Sequence, residues 1–598
     1  MNEIIMKRIF LLTTVFLFSA FLLKAQTIDP TVEVSRSYEG KLMEVHKPAL
    51  TMAVPDSVLK FDLDFDYSVF DSPYKGSYEF NPYVTSMRPA DSKRPQDTFW
   101  LRAGAGYTLH PVLDVVWSPA FRKSFSMDIY ALHRSYVGDY RSVGPVLDSD
   151  GRINEVQSLD PVSGYGLWKG YDMLTRSGID VHWDWRKSRL DVGAGYYGLH
   201  RTALGGVSGS MNAFDFSAGF SSKPYWPSHM KYRVDLDYRV AKDVMSTADA
   251  ADGYLNEHDV KIYASFGPES RSPGSVFVDV SMMTAAYSGY FDTSISEFAF
   301  IPHYVYRHGR VKVDAGLRLA KLMRGDGYVT MYKTREQFVY PDIRLDVEAL
   351  KDLMMVYLRI GGGNKVNTYS SLLESNHHIM MNSTFGHFPL LDTTVERVSL
   401  IMGAEGRVAS VFSYDLRFGY VNYKNALVDA VWLQMPETLY EEAGFMAGVG
   451  YAPYKKWLAA LDLRYSSEEF KAEATFDYTS AWGEDFTSDA ASGLLRPAAL
   501  KGDVSVGYVW RNRVHASVDC AFSTARKGYV PAVPERNEVY EAFVPGYADL
   551  GLNAGYDAGS RLTFWLRVGN ILDMPVMYNP LYAEKGINFT AGVCLNFQ

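Results

Sequence analysis

Residues 231–240 read KYRVDLDYRV, and every second side chain in this stretch is charged. The charged set is Lys231, Arg233, Asp235, Asp237 and Arg239. The side chains between them are valine, leucine and tyrosine. Because successive side chains of a β-strand point to opposite faces, the stretch predicts a strand with one charged face and one apolar face.

The same alternation returns from residue 98 to the end of the chain. It is clearest in 178–185, 189–196, 311–319, 411–420, 457–465, 547–556 and 586–597. A soluble sandwich would need a partner sheet of equal size to bury so many apolar faces. A closed barrel instead turns the apolar face to lipid and the charged face to a wet lumen. We therefore predict an all-β fold, a transmembrane antiparallel β-barrel of about 22 strands.

The connections between the predicted strands alternate in length. Short joins are predicted at 186–188, 308–309, 350–352 and 510–512. Long polar loops are predicted near 138–170, 243–256, 323–335, 363–393, 482–496 and 526–545. Short periplasmic turns opposite long external loops are typical of outer-membrane barrels.

Composition agrees with a membrane barrel and argues against nucleic acid as a partner. Aromatic residues make up 14% of the chain, with 42 Tyr and 33 Phe, and the formal net charge is −9. Aromatic girdles at both membrane interfaces require many such residues. The strand phase puts Cys520 on the outward face and Cys594 on the inward face, so a disulfide between them is not expected.

The first 97 residues differ from the remainder. Lys7 and Arg8 precede an apolar stretch at 9–23 that is too short for a membrane span, so 1–25 is predicted to be a signal peptide. Seven prolines interrupt 26–97, which we interpret as an extended periplasmic segment. Residues 98–598 form the predicted barrel, and the expected location is the outer membrane.

The C-terminal region resembles the barrel of TonB-dependent receptors. The resemblance is carried by PGYADLGLNAGYDAGSRLTFWLRVGNILD at 545–573 and YNPLYAEKGINFTAGVCLNF at 578–597. In addition, FDYSVFDSPYKGSYEFNPY at 65–83, leading into FWLRAGAGYTLHPVLDVVWSP at 99–119, is similar to a plugless branch of these barrels in Bacteroidetes-type bacteria. The resemblance implies a receptor or transport barrel in which 26–97 is too short for a full N-terminal plug.

The charged inward faces are the first candidate site. The side chains predicted to line the lumen are Arg233, Asp235, Asp237, Arg239, Asp314, Arg318, Asp415, Arg417, Asp462, Arg464 and Arg567. They would form either a conduit for a polar solute or a salt-bridged wall that keeps a wide barrel round.

The long loop at 363–393 is the second candidate. It contains Glu374, His377, His378 and His387, which are potential ligands in an external loop. Adjacent histidines on an extended chain point to opposite sides, so a metal site is not predicted there, and a solvated loop is the alternative.

No catalytic motif is apparent. The sequence contains no G-x-S-x-G elbow, no H-E-x-x-H pair and no phosphate loop, so no enzymatic activity and no cofactor are predicted. The expected partners are outer-membrane lipid, an unidentified polar solute and, in one interpretation, a periplasmic or surface protein. The leading hypothesis is transport or binding of a polar solute. The alternative is a structural or assembly scaffold that docks a partner protein.

Overall fold

The computed structural model describes residues 98–107, 110–121, 124–141, 156–158, 167–202, 207–223, 230–246, 253–268, 273–326, 336–379, 381, 391–409, 411–434, 444–490, 492–531, 539–580 and 582–597. The predicted signal peptide and the segment 26–97 lie outside these residues. No helix in the described part of the chain is long and apolar enough to cross a membrane.

The strands in chain order are β1 (Thr98–Gly106), β2 (Val112–Ser118), β3 (Phe125–Arg141), β4 (Val156–Ser158), β5 (Leu167–Asp184), β6 (Ser188–Thr202), β7 (Ser208–Ser222), β8 (Lys231–Ser246), β9 (Gly253–Gly267), β10 (Gly274–Gly289), β11 (Thr293–His308), β12 (Val311–Arg324), β13 (Gln337–Leu350), β14 (Met354–Val366), β15 (Thr393–Val408), β16 (Phe412–Gln434), β17 (Gly444–Ala452), β18 (Lys455–Ser466), β19 (Phe470–Trp482), β20 (Leu500–Trp510), β21 (Val514–Ser523), β22 (Arg526–Pro531), β23 (Val539–Val544), β24 (Tyr547–Asp557), β25 (Leu562–Gly569) and β26 (Asn588–Phe597). Within the described ranges, one α-helix, α1, spans Tyr369–Ser375.

Twenty-two of these described strands form one closed antiparallel barrel, namely all except β4, β17, β22 and β23. Each pairs with the next around the ring, and β1 closes it against β26, with Phe99 opposite Phe597 and Gly106 opposite Thr590. Closure leaves no unpaired sheet edge, which a strand in lipid requires. The predicted fold class and strand number are confirmed.

The outer wall is apolar and the inner wall is polar, as the period-two pattern predicts. Phe214 is 60% exposed, and Leu317 and Leu416 are about half exposed. Their chain neighbours on the inner face are charged or small. Large apolar side chains exposed all around a closed sheet are a lipid-facing surface. On this basis, β21 carries Cys520 outward and β26 carries Cys594 inward.

The two ends of the barrel differ in the length of their connections. Short turns at 185–187, 309–310, 351–353 and 511–513 lie at one end, here called the turn end, as predicted to within a residue. The long connections lie at the other end, the loop end. Four of them, 142–166, 247–252, 325–336 and 367–392, are shorter than predicted because the strands extend further, whereas 483–499 and 524–546 are slightly longer. The expected loop 243–256 narrows to 247–252, since β8 continues to Ser246 and β9 begins at Gly253.

The loop end has a folded cover of its own. The 23-residue strand β16 extends beyond the barrel and pairs with β17. Strands β22, β23 and β4 form a separate three-stranded sheet. A small core of Val431, Leu495, Val544, Met577 and Ala583 packs connections from different parts of the ring together. The mouth is therefore built from packed structure contributed by several connections.

Candidate functional site

The connection between β14 and β15, residues 367–392, turns into the barrel, and we call it the crossing segment. It contains α1, whose N-terminus is capped by Thr368: the Ser371 N–H donates to the Thr368 hydroxyl oxygen over 3.2 Å. A threonine at this position satisfies one of the helix's free N–H groups. Tyr369, Leu372 and Leu373 of α1 are at most 1% exposed. The interpretation of this region as a solvated external loop therefore does not fit its described residues.

The two ends of the crossing segment are fixed next to each other at the barrel wall. The Asn367 side-chain amide donates to the Asp392 carbonyl oxygen over 3.0 Å. The Asn425 amide, on neighbouring β16, donates to the Asp392 carboxylate over 3.0 Å. The Tyr451 hydroxyl donates to the Asp392 carbonyl oxygen over 3.2 Å. The two ends of the crossing segment are therefore buried and hydrogen-bonded together, so the segment leaves and rejoins the wall at a single point.

The far side of the segment docks on an ion pair in the opposite wall. The Arg201 guanidinium on β6 donates to the Asp243 carboxylate on β8 over 2.9 and 3.1 Å. Both side chains are at most 1% exposed. The Tyr369 hydroxyl donates to the same carboxylate over 2.6 Å, and Arg201 donates to the Ile379 carbonyl oxygen over 3.2 Å. Docking of the segment thus supplies this buried ion pair with two further hydrogen bonds.

A second polar contact joins α1 to β9. The Ser370 backbone N–H donates to both carboxylate oxygens of Glu257, and the Ser370 hydroxyl donates to one of them. Glu257 is 1% exposed, and Asp259 lies on the same face of β9 at 4% exposure. Removing Ser370 from this wall would take two hydrogen-bond donors from a buried carboxylate, at a cost of about 1–3 kcal/mol.

An apolar core fills the space between these polar contacts. From the segment it takes Leu372, Leu373, Ile379 and Met381, and from the wall Leu199, Met211, Ala213, Met245, Leu255 and Ile295. Strand β6 is eight strands away from β14 around the 22-strand ring. A segment that leaves the wall at β14 and packs on β6–β9 must pass across the lumen. It narrows the barrel at the loop end.

The loop residues singled out as ligand candidates mainly hold this segment in place. Glu374 accepts a hydrogen bond from Arg239 on β8 over 2.9 Å. His377 is paired with Asp172 on β5 at 2.9 Å. His378 stacks on the Tyr582 ring with 3.8 Å between ring centroids. His387 lies outside the described residues. In the described part of the chain, no group of three or more His, Cys, Asp or Glu side chains is arranged to hold a metal ion.

His378 is a buried titratable group of the crossing segment. Burial lowers the pKa of its imidazole to about 3, and the charges of His377 and Arg201 add to this effect, against an opposing contribution from Asp172. The ring is therefore neutral at neutral pH. Because a charged imidazole is disfavoured in this position, protonation opposes docking of the segment.

The eleven candidates for the lumen wall lie on the strand faces opposite the exposed apolar side chains. Most are paired: Arg233 with Asp235, Arg239 with Asp215, Asp314 with His303, Arg318 with Glu297, Asp415 with Tyr357, Arg417 with Asp462, and Arg464 with Glu473. Asp237 lies opposite Lys261 in the register, and Arg567 lies opposite Thr590 and Asn553. Charged and polar pairs therefore cover much of the described inner wall.

The described residues enclose a cavity on one side of the turn end. It has a volume of about 990 Å³ and is lined by charged residues of both signs, including Lys312, Asp346, Glu405, Arg407 and Arg464. This cavity lies at the opposite end of the barrel from the crossing segment.

Sequence reasoning missed the residues on which the segment docks. Arg201, Asp243 and Glu257 stand near strand ends, where they cannot be told from loop residues. The segment itself carried one signal: Thr368 followed by YSSLLES is a capping residue ahead of a short amphipathic stretch. That signal predicts a helix, but it does not show where the helix packs.

Comparison with solved structures gives the fold a context. The chain is similar to a copper transporter, OprC (TM-score 0.60, 11% identity, covering 85% of this chain and 81% of that one). It is similar to the FrpB iron transporter from Neisseria meningitidis (TM-score 0.59, 9% identity, covering 85% of this chain and 82% of that one). It is also similar to a ferric enterobactin receptor from Pseudomonas aeruginosa (TM-score 0.57, 10% identity, covering 84% of this chain and 82% of that one). No family model and no curated protein sequence matches the chain. The chain has a 22-strand outer-membrane barrel and shares its fold with these transporters and receptors.

Proposed function

We propose that this protein is an outer-membrane transport barrel that passes a polar solute and is narrowed at its mouth by the crossing segment. The observation that carries the proposal is the docking of the segment across the lumen, on the buried pair of Arg201 and Asp243. A wide barrel without a constriction would be a leak. A segment held through side chains of β6, β8 and β9 supplies a constriction that can undock without unfolding the barrel.

The charge of the mouth favours cationic or neutral solutes over anions. The loop-end connections (107–111, 142–166, 203–207, 247–252, 290–292, 325–336, 367–392, 435–443, 483–499, 524–546 and 570–587) contain 22 Asp or Glu and 8 Lys or Arg. An acidic entrance raises the local concentration of cations and lowers that of anions. The paired wall residues, such as Arg417 and Asp462, would then offer alternating partners along the passage.

The N-terminal part of the proposal rests on the sequence. Residues 1–25 would be removed as a signal peptide, and 26–97 would form a periplasmic segment shorter than a full plug. The similarity of 65–83 to the plugless branch of TonB-dependent receptors supports this organisation. In this scheme the crossing segment takes over the closing role that a plug would have.

Solute flux into proteoliposomes tests the proposal. The crossing segment is replaced from 368 to 391 by three Gly or Ser residues, which is feasible because the Asn367 N–H donates to the Asp392 carbonyl oxygen over 3.3 Å. As a matched control, 532–538 in another loop-end connection is replaced in the same way. We expect fast entry of small cationic solutes with the segment variant, and slow entry with wild type and control. Equal flux for all three proteins would contradict the proposal.

A scaffold that docks a partner is the second candidate. The observation that favours it is the folded cover of the mouth, with the sheet of β22, β23 and β4 and the core around Val431 and Leu495. In that case the variant with the replaced crossing segment would pass no solute. Changes to the folded cover would instead abolish binding of the partner protein. The flux measurement therefore separates the two candidates.

A further inference from the structure

The turn end carries its positive charge on one side only. Around the ring, the connections 511–513, 558–561, 119–124, 185–187 and 223–230 follow one another, because β26 pairs with β1 between the second and the third. In sequence they contain eight basic residues and no Asp or Glu, and six of the eight lie in the part of the chain that the structure describes: Arg186, Lys187, Lys223, Arg511, Arg513 and Arg561. We call these six side chains the basic half-rim.

The other half of the turn end is not basic. Its connections, 268–273, 309–310, 351–353, 409–411 and 467–469, contain three basic residues and four acidic ones. The asymmetry is therefore a property of one side of the barrel. It is not a general feature of the turns.

Exposed tryptophans of the turn end lie on the same side of the barrel as the basic half-rim. Among the described residues, Trp117, Trp183, Trp185 and Trp510 lie at the turn end on the outer surface, between 39% and 51% exposed, and all four flank the basic half-rim. The Trp183 and Trp185 rings are 5.0 Å apart. Exposed tryptophans on a lipid-facing wall mark the level of the headgroups. Arg186, Lys187 and Arg511, which follow Trp185 and Trp510 in the chain, are therefore at the height of lipid phosphates.

Two arginines of the half-rim, Arg511 and Arg561, lie next to outward-facing aromatic rings. Arg511 and Asn512 both have left-handed backbone conformations, with φ of 51° and 53°, in the tight turn between β20 and β21. The Arg511 guanidinium lies 4.9 Å from the centroid of the outward Trp510 ring, and Arg561 lies 5.8 Å from the ring of Phe597. Lys223 is paired with Asp184 at 3.2 Å, and the test below therefore uses arginines.

We propose that the basic half-rim binds the headgroups of anionic phospholipids in the periplasmic leaflet. Arginine forms strong bidentate contacts with phosphate, and the neighbouring tryptophans contact the acyl chains and glycerol region of the same lipid. A soluble acidic polymer or protein would use the arginines but would have no use for the outward tryptophans. The charge distribution thus orients one side of the barrel toward anionic lipid.

The test is a titration of the full-length protein in neutral detergent with phosphatidylglycerol or phosphatidylcholine, with bound lipid counted by native mass spectrometry. Each Lys or Arg near an anionic surface strengthens binding about fivefold. The double variant Arg511→Gln/Arg513→Gln should bind phosphatidylglycerol about 25-fold more weakly, with phosphatidylcholine binding unchanged. The matched control, Arg310→Gln/Lys351→Gln, lies on the other half and should bind like wild type.

Three outcomes would overturn the proposal. One is equal weakening in the two double variants. Another is equal binding of the two lipids by wild type. The third is binding of soluble polyglutamate as tight as that of phosphatidylglycerol, which would indicate an acidic macromolecule as the partner. Should the double variant fail to fold, as judged by loss of the heat-dependent shift on a gel, Arg561→Gln alone carries the same prediction at about fivefold.

Discussion

Replacing Tyr369 by phenylalanine should undock the crossing segment without disturbing the barrel. The Tyr369 hydroxyl donates to the buried Asp243 carboxylate over 2.6 Å, and the ring itself is 1% exposed. The change removes one hydrogen bond to a charged group and keeps the ring. Such a bond contributes about 1.5–3 kcal/mol. Because Asp243 keeps Arg201 as its ion partner, we expect the lower part of that range, about 1.5–2 kcal/mol.

That loss corresponds to a shift of about 10–30-fold toward the undocked segment. Hydrogen exchange of α1 measures it, because the Leu372 and Asn376 amides are hydrogen-bonded within the helix over 3.0 and 2.8 Å. Their exchange should accelerate by that factor, with barrel amides unchanged. The matched control is Tyr196→Phe, which loses a 2.7 Å bond to Asn212 away from the segment. Unchanged exchange of α1 in the Tyr369 variant would refute the reasoning.

Three further predictions follow from the same geometry. Leu373 is 0% exposed, so Leu373→Ala should weaken docking of the crossing segment by about 2–5 kcal/mol. The barrel's melting temperature, measured by its heat-dependent gel shift, should stay unchanged; a lowered melting temperature would contradict the prediction. Since the pKa of His378 is lowered to about 3, docking of the crossing segment should be complete above pH 6.5 and weaken as the pH falls toward 3. Hydrogen exchange of the α1 amides should show this pH dependence. His378→Phe, which keeps the stacking on Tyr582, should remove it. The acidic mouth should make the protein with the replaced segment cation-selective; a reversal potential in a salt gradient that indicates anion selectivity would contradict this.

The barrel could be predicted from the sequence because lipid imposes one simple rule on every strand. A strand such as 231–240 must present Val234 and Leu236 outward and Asp235 inward, so the pattern repeats at a period of two wherever the chain crosses the membrane. Tight turns such as 511–513 follow from the spacing between such stretches. Strand ends were less predictable, since Asp243 and Glu257 sit inside the barrel and resemble loop residues.

The site could not be predicted because its contacts join distant parts of the chain. Arg201 and Tyr369 are 168 residues apart, and nothing local to either residue indicates the other. The apolar residues of α1 are few, so the helix gives only a weak periodic signal. Its burial depends on the shape of the closed barrel, which brings β6 and β8 opposite β14. Glu374 and His377, which the sequence singled out as possible ligands, lie in the crossing segment and contact the barrel wall.

Ion conductance through single barrels tests the central claim most directly. Wild type and the variant with 368–391 replaced by a short Gly and Ser linker would be inserted into planar lipid bilayers under the same salt and voltage. If the crossing segment closes the mouth, wild type should show low conductance with rare openings, and the variant a large and steady current. A large steady current through wild type, or a silent variant that still shifts on heating as a folded barrel does, would contradict the account.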